Sequence, residues 1–147
     1  MDSFDVRPGE GIGPIAIGMT RSQALEASQS AGLSAASFLK SPTAPEALVI
    51  ERQLFAYFDI NDHVLEVEVA VPRDQDDRGV MWNDLDFALD PGQVAGVLDE
   101  IAQPDTEGAE YPTTRRYPDL GLILWKDAKP EDWLDGPFES VLVRRIA

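Results

Sequence analysis

The sequence has no cysteine and a single histidine. The first absence removes a disulfide framework, a thiolate zinc site and a cysteine nucleophile together. The second leaves an imidazole zinc site short of ligands. Any Ser-His-Asp triad would have to use His63, which stands at a turn, and no Gly-x-Ser-x-Gly elbow accompanies it. No catalytic residue, metal ligand or cofactor is assigned. Basic residues are scarce: 12 Lys and Arg face 27 Asp and Glu, for a net charge of −15. That balance repels nucleic acid and anionic membranes and favours fast encounter with a basic protein. No apolar run approaches the ~18 residues of a membrane span. The opening MDSFDVRPGEG lacks the basic-then-apolar order of an export signal, so the expectation is a cytoplasmic protein.

What is present suits one globular domain. The 147 residues are 44% apolar and 27% charged, enough to build a core without a metal or disulfide staple. After a glycine-rich opening, Ile15-Ala16-Ile17 reads as a short strand. Thr20 with Gln23 forms a capping box, starting a helix that runs to Ala31 before Gly32. Residues 33–46, rich in Ser, Ala and Pro, read as a loop with a short helical turn at 35–40. Leu48 to Phe58 is extended, Asp59 to Asp62 is a turn, and His63 to Val71 alternates. In that strand Val64, Glu66 and Glu68 fall on one side, and Leu65, Val67 and Val69 on the other.

After a charged break at 73–78 the order repeats. Leu85, Phe87 and Leu89 alternate, and Asp90-Pro91-Gly92-Gln93 starts a second helix. Val94, Val97, Leu98 and Ile101 give that helix its apolar stripe, and Pro104 ends it. A polar loop (105–114), a strand over Leu120 to Trp125, an acidic turn (126–136) and a strand over Phe138 to Ile146 complete the chain. The predicted fold class is α+β: two strand–helix–strand–strand pseudo-repeats, about 1–72 and 79–147, in a single domain. Their strands form an antiparallel sheet with the helices packed on one face.

The segment Gly11-Ile12-Gly13-Pro14-Ile15-Ala16-Ile17-Gly18-Met19-Thr20 resembles the helix entry of the beta-lactamase inhibitory protein superfamily. It is also similar to outer-membrane assembly lipoproteins with the same small α/β unit. The resemblance covers about twenty residues closely and the rest by order of elements. It implies a tandem α+β protein that works by binding. The chain departs from these relatives in lacking the lipoprotein's acylated cysteine, the inhibitor's paired cysteines and an export signal. Small, acidic, cysteine-free bacterial immunity proteins are similar in the same respects.

Other motifs fail on their own terms. Asp59-Ile60-Asn61-Asp62 starts like a calcium loop, but Val64 and Ala70 stand where that loop needs glycine and glutamate. The glycines at 9, 11 and 13 precede a strand, whereas a dinucleotide cradle follows one. Two stretches suit a binding surface. Residues 74–110 carry eleven acids and one base, and the turn around Trp133 places a tryptophan among carboxylates. The expected partner-binding residues are Trp133, Glu131, Asp132, Asp135, Asp105, Glu107 and Glu110. The expected function is a non-catalytic inhibitor or immunity-type module whose acidic face takes a basic protein. The alternatives are a small-molecule or enzymatic pocket using Tyr57, Tyr111 and Tyr117, and a homodimeric structural module; the chain itself is a monomer or a homodimer.

Overall fold

The computed structural model describes residues 3–39, 46–108 and 110–146. The fold is mixed α+β, with two sheets and two helices. In the first half, β1 (Ser3–Arg7), β2 (Gly11–Ile12) and β3 (Ile15–Ala16) lead into α1 (Arg21–Ser30). There follow β4 (Ala35–Leu39), β5 (Glu46–Ile50), β6 (Leu54–Phe58) and β7 (Val64–Ala70). In the second half, β8 (Gly79–Trp82) and β9 (Leu85–Asp86) precede α2 (Pro91–Ile101). The chain closes with β10 (Thr114–Tyr117), β11 (Leu122–Trp125) and β12 (Ser140–Arg144).

The larger sheet is antiparallel throughout, in the order β10-β11-β12-β7-β6-β5-β4. The strands that end the two halves, β7 and β12, therefore meet at its centre. Two registered rows of its inner face are closed to solvent. Ala56, Val67, Val143, Leu122 and Tyr117 form one. Leu54, Val69, Val141, Leu124 and Arg115 form the other. Ala24 of α1 and Val94 and Leu98 of α2 belong to the same core.

Both helix entries form as their residues dictate. Thr20 Oγ1 accepts the Gln23 N–H at 3.2 Å, and the Thr20 N–H donates back to Gln23 Oε1 at 2.9 Å. Asp90 Oδ1 accepts the Gly92 N–H at 2.8 Å, with Pro91 in the first turn. The hairpins before the helices match at an offset of 70 residues. The Ile17 N–H bonds the Glu10 carbonyl at 2.8 Å, and the Phe87 N–H bonds that of Val80 at 3.0 Å. Gly13 and Asn83 turn the two hairpins with φ of 55° and 53°. That left-handed conformation is open to glycine and tolerated by asparagine.

Several expectations need correction. The predicted sheet is joined by a second one, in the order β3-β2-β1-β8-β9, and its β1–β8 pair is parallel. Neither β1 nor β8 was expected, because β1 runs into the glycine-rich opening and β8 follows the charged break. Residues 35–39 are an edge strand, not a loop with a helical turn, since β5 pairs with them along their length; positions 40–45 lie outside the described residues. The extended stretch 48–58 is two strands, reversed at Glu51 and Arg52 with φ of 53° and 60°. Neither residue carries a turn signal. The strand over Leu85, Phe87 and Leu89 shortens to β9. Val97 and Ile101 stay exposed, because Ala95 joins Val94 and Leu98 on the buried stripe of α2. A bulge beside Tyr57 and Phe58 leaves Leu65 unpaired in β7. It turns Val64 inward and leaves Leu65 50% exposed, the reverse of their expected sides.

Gln53, which is buried, ties the charged break to the sheet. Its amide donates to the carbonyls of Ala70 (2.8 Å) and Arg78 (2.7 Å) and accepts the Arg78 N–H (2.9 Å). Gln53→Leu keeps the volume and removes those three hydrogen bonds. It is expected to lower stability by about 1–3 kcal/mol, read as a shift of the urea unfolding midpoint at unchanged slope.

Candidate functional site

A strand points alternate side chains to opposite faces, so the strands that build the core also display an outward set. One outward row runs in register through Val49, Phe55, Glu68, Leu142 and Ile123. All five are half-exposed. Tyr57 flanks the row on one side and Trp125, 44% exposed, on the other. An antiparallel sheet with one wet face should alternate apolar and polar residues. Here β6 reads LFAYF and β11 reads LILW, apolar on both faces. An outward face with this apolar content is a candidate interaction surface.

Glu68 stands in the middle of this surface, with Phe55 and Leu142 as its cross-strand neighbours. Its Oε1 accepts the Tyr57 hydroxyl at 2.8 Å. Among the described residues no basic side chain pairs with it. Glu66, one step along the same face, is neutralised by Arg144 at 3.3 Å. The face therefore carries a carboxylate with no basic partner among the described residues, inside an aromatic and aliphatic frame that suits a cationic side chain.

The seven residues singled out in the sequence lie on two loops. Lys126, 5% exposed, organises the first. Its ammonium donates to the carbonyls of Trp133 (3.2 Å), Gly136 (2.9 Å) and Asp135. All three donors are used, so the turn wraps around the charge. Trp133 consequently folds inward and packs on the core, while Glu131, Asp132 and Asp135 stay exposed. On the second loop Asp105 accepts the Glu107 N–H at 3.0 Å, and Glu110 pairs with Arg116 at 3.5 Å. Both loops meet at buried Arg115. Its guanidinium lies 5.3 Å from the Trp133 ring, pairs with Asp99 at 2.8 Å and bonds the Tyr111 and Tyr117 hydroxyls at 3.0 and 3.1 Å. Tyr57 lies on the outer sheet face, so the three tyrosines do not converge on one pocket.

Part of the acidity serves local structure. Of the eleven acids in 74–110, Asp74, Asp77, Asp86, Asp90 and Asp105 accept nearby backbone N–H groups. Asp59 does the same for Asn61 (2.9 Å) and His63 (3.0 Å), making an Asx turn of the calcium-like segment. Arg21 clamps Asp62 at 2.8 Å, so the hairpin tip holds Ile60 at 99% exposure on a braced turn. Among the described residues no three His, Asp or Glu side chains gather as a metal site, and no helix is long and apolar enough to cross a membrane.

The outward residues Phe55, Tyr57, Glu68, Ile123, Trp125 and Leu142 were not singled out in the sequence. The uniform apolarity of β6 and β11 was the available signal, but it reads equally well as core. No family model, curated protein or solved structure matches the chain.

Two tyrosines give a test of this geometry. Burial and the Glu68 contact raise Tyr57 well above the ordinary 10.0. Burial, opposed by Arg115 and aided by Asp99, pushes Tyr117 up to about 12. The folded state thus holds both protons more tightly than the unfolded chain. Their stabilisation is complete below pH ~10 and is lost as pH rises through the folded values. In an alkaline titration, the phenolate absorbance of Tyr57 and Tyr117, assigned by Phe substitution, is expected to appear only as the fold is lost.

Proposed function

We propose that this chain is a non-catalytic protein-binding module of inhibitor or immunity type, acting in the cytoplasm. It docks a basic protein on the open face of the larger sheet. The observation that carries this reading is the outward apolar row around Glu68, a carboxylate that meets the Tyr57 hydroxyl and, among the described residues, no basic side chain, in a chain of net charge −15. Phe55, Tyr57, Trp125 and Leu142 would supply the buried anchors. The exposed acids of the two loops, Glu131, Asp132, Asp135, Asp105, Glu107 and Glu110, would act at longer range, steering a cationic surface inward. In the same reading the halves are tandem repeats of one unit. The hairpins that match at an offset of 70 and the central meeting of β7 with β12 support that descent.

The test uses affinity capture with the intact protein, followed by measured affinity for whatever basic protein is retained. Trp125→Ala is expected to weaken binding about thirtyfold, and Glu68→Lys at least as much. Glu131→Gln with Asp132→Asn should slow association and reduce its salt dependence, with little effect on dissociation. Unchanged affinity in both face variants would overturn the reading. So would a dimer of this chain that Trp125→Ala converts to monomer, because the face would then be occupied by a second copy.

A further inference from the structure

At one end of the larger sheet two hollows adjoin, sharing Arg144 and Arg145 in their walls. The larger, about 490 Å³, is lined also by Gly18, Asp59, His63 and Glu66. It falls within the ~300–1,000 Å³ range of small-ligand sites. The smaller, about 210 Å³, is lined also by Arg116, Pro118, Gly121 and Ile123, with the buried Tyr117 and Leu122 at its floor. Three of the chain's 12 cations and its single histidine thus gather at one place in a protein of net charge −15.

The charges there are not equivalent. Arg144 is neutralised by Glu66 at 3.3 Å and Arg116 by Glu110 at 3.5 Å. Among the described residues, no carboxylate stands within ion-pairing distance of Arg145. Gly18 faces this guanidinium with no side chain between them: a Cβ built there would lie 3.5 Å from Arg145 Nη2. Among the described residues the site therefore offers a planar cation with no carboxylate partner, suited to a bidentate carboxylate. It offers an apolar hollow on one side. On the other it offers Asp59, whose Oδ1 already accepts backbone N–H groups on the turn side, and Glu66 as acceptors for an N–H donor.

A carboxylate, an N–H and an apolar side chain on one carbon are the groups of an α-amino acid. We propose that this double hollow binds the carboxylate end of an apolar amino acid, either free or as the last residue of a peptide, with Arg145 as the anion anchor. The site shares Ile123, Glu66 and Arg144 with the outward face of the sheet but includes neither Glu68 nor Trp125, and its carboxylate recognition does not depend on the docking reading.

Titration of the isotope-labelled protein by heteronuclear NMR tests this with four probes: N-acetyl-phenylalanine, free phenylalanine, N-acetyl-phenylalaninamide and acetate. Saturable shifts at Gly18, His63 and Ile123 are expected with the first, the second or both. Whichever binds more tightly identifies the natural source as a chain end or a free amino acid. The amide and acetate are expected to bind at least tenfold more weakly. Arg145→Gln, at an exposed position, should leave the thermal midpoint unchanged and abolish saturation, while Trp125→Ala should not alter it. Absence of saturable shifts, equal binding of the amide or of acetate, or full binding by Arg145→Gln would each overturn the proposal.

Discussion

The antiparallel registration of β7 with β12 is the constraint on which the rest of the molecule depends. Val67 lies opposite Val143 and Val69 opposite Val141. These four valines are shut away from solvent, and they join the last strands of the two halves into one sheet. A slip of one residue would turn one strand's valines outward and bring either Glu66 and Glu68 or Leu142 and Arg144 into the core. The cost of burying those charges makes the register effectively unique. With this pair set, the inward rows on β6 and β11 follow, and with them the positions of Tyr117 and Arg115.

The same constraint creates the outer face. Inward valines oblige Glu66 and Glu68 to point out, beside Leu142 and Arg144 on the neighbouring strand. Each flanking strand then adds its own outward residues, and on β6 and β11 these are aromatic or aliphatic. The face is thus the necessary reverse side of the core. What is peculiar to this chain is that β6 and β11 are apolar on the reverse side as well. Arg115 extends the inner row to the sheet's end and gathers Asp99, Tyr111, Tyr117 and Trp133 around one charge. Burial opposes that charge, and the contacts with Tyr117 and Asp99 more than offset it, so the guanidinium holds its proton more firmly than a free arginine.

Local chemistry made several elements legible in advance. Thr20 with Gln23, and Asp90 with Pro91, encode helix starts through hydrogen bonds spanning three residues or fewer, and both starts were read correctly. The Asx turn at Asp59 was legible for the same reason. The turn at Glu51 and Arg52 was not, because neither side chain favours a left-handed backbone; the pairing of β5 with β6 imposes it. Likewise β4, a Ser- and Ala-rich edge, acquires its extended form from β5. Of the residues expected to meet a partner, six carboxylates are exposed on two loops. Trp133 turns inward because Lys126 draws three carbonyls of its turn around one ammonium.

The sequence by itself determined the α+β class, the two helix entries and the strong negative charge, since each follows from residue type or from neighbours in the chain. It also determined that the strand at 64–70 would send Glu66 and Glu68 to the side opposite Val67 and Val69. Tertiary structure alone decided that those glutamates would share a face with Phe55, Tyr57, Ile123, Trp125 and Leu142, which lie on three other strands. It also decided that Arg144 and Arg145 would stand beside Gly18, over a hundred residues earlier in the chain. The physical reason is that strand pairing joins residues by register and not by sequence distance, so a face or a hollow exists only once the sheet has closed.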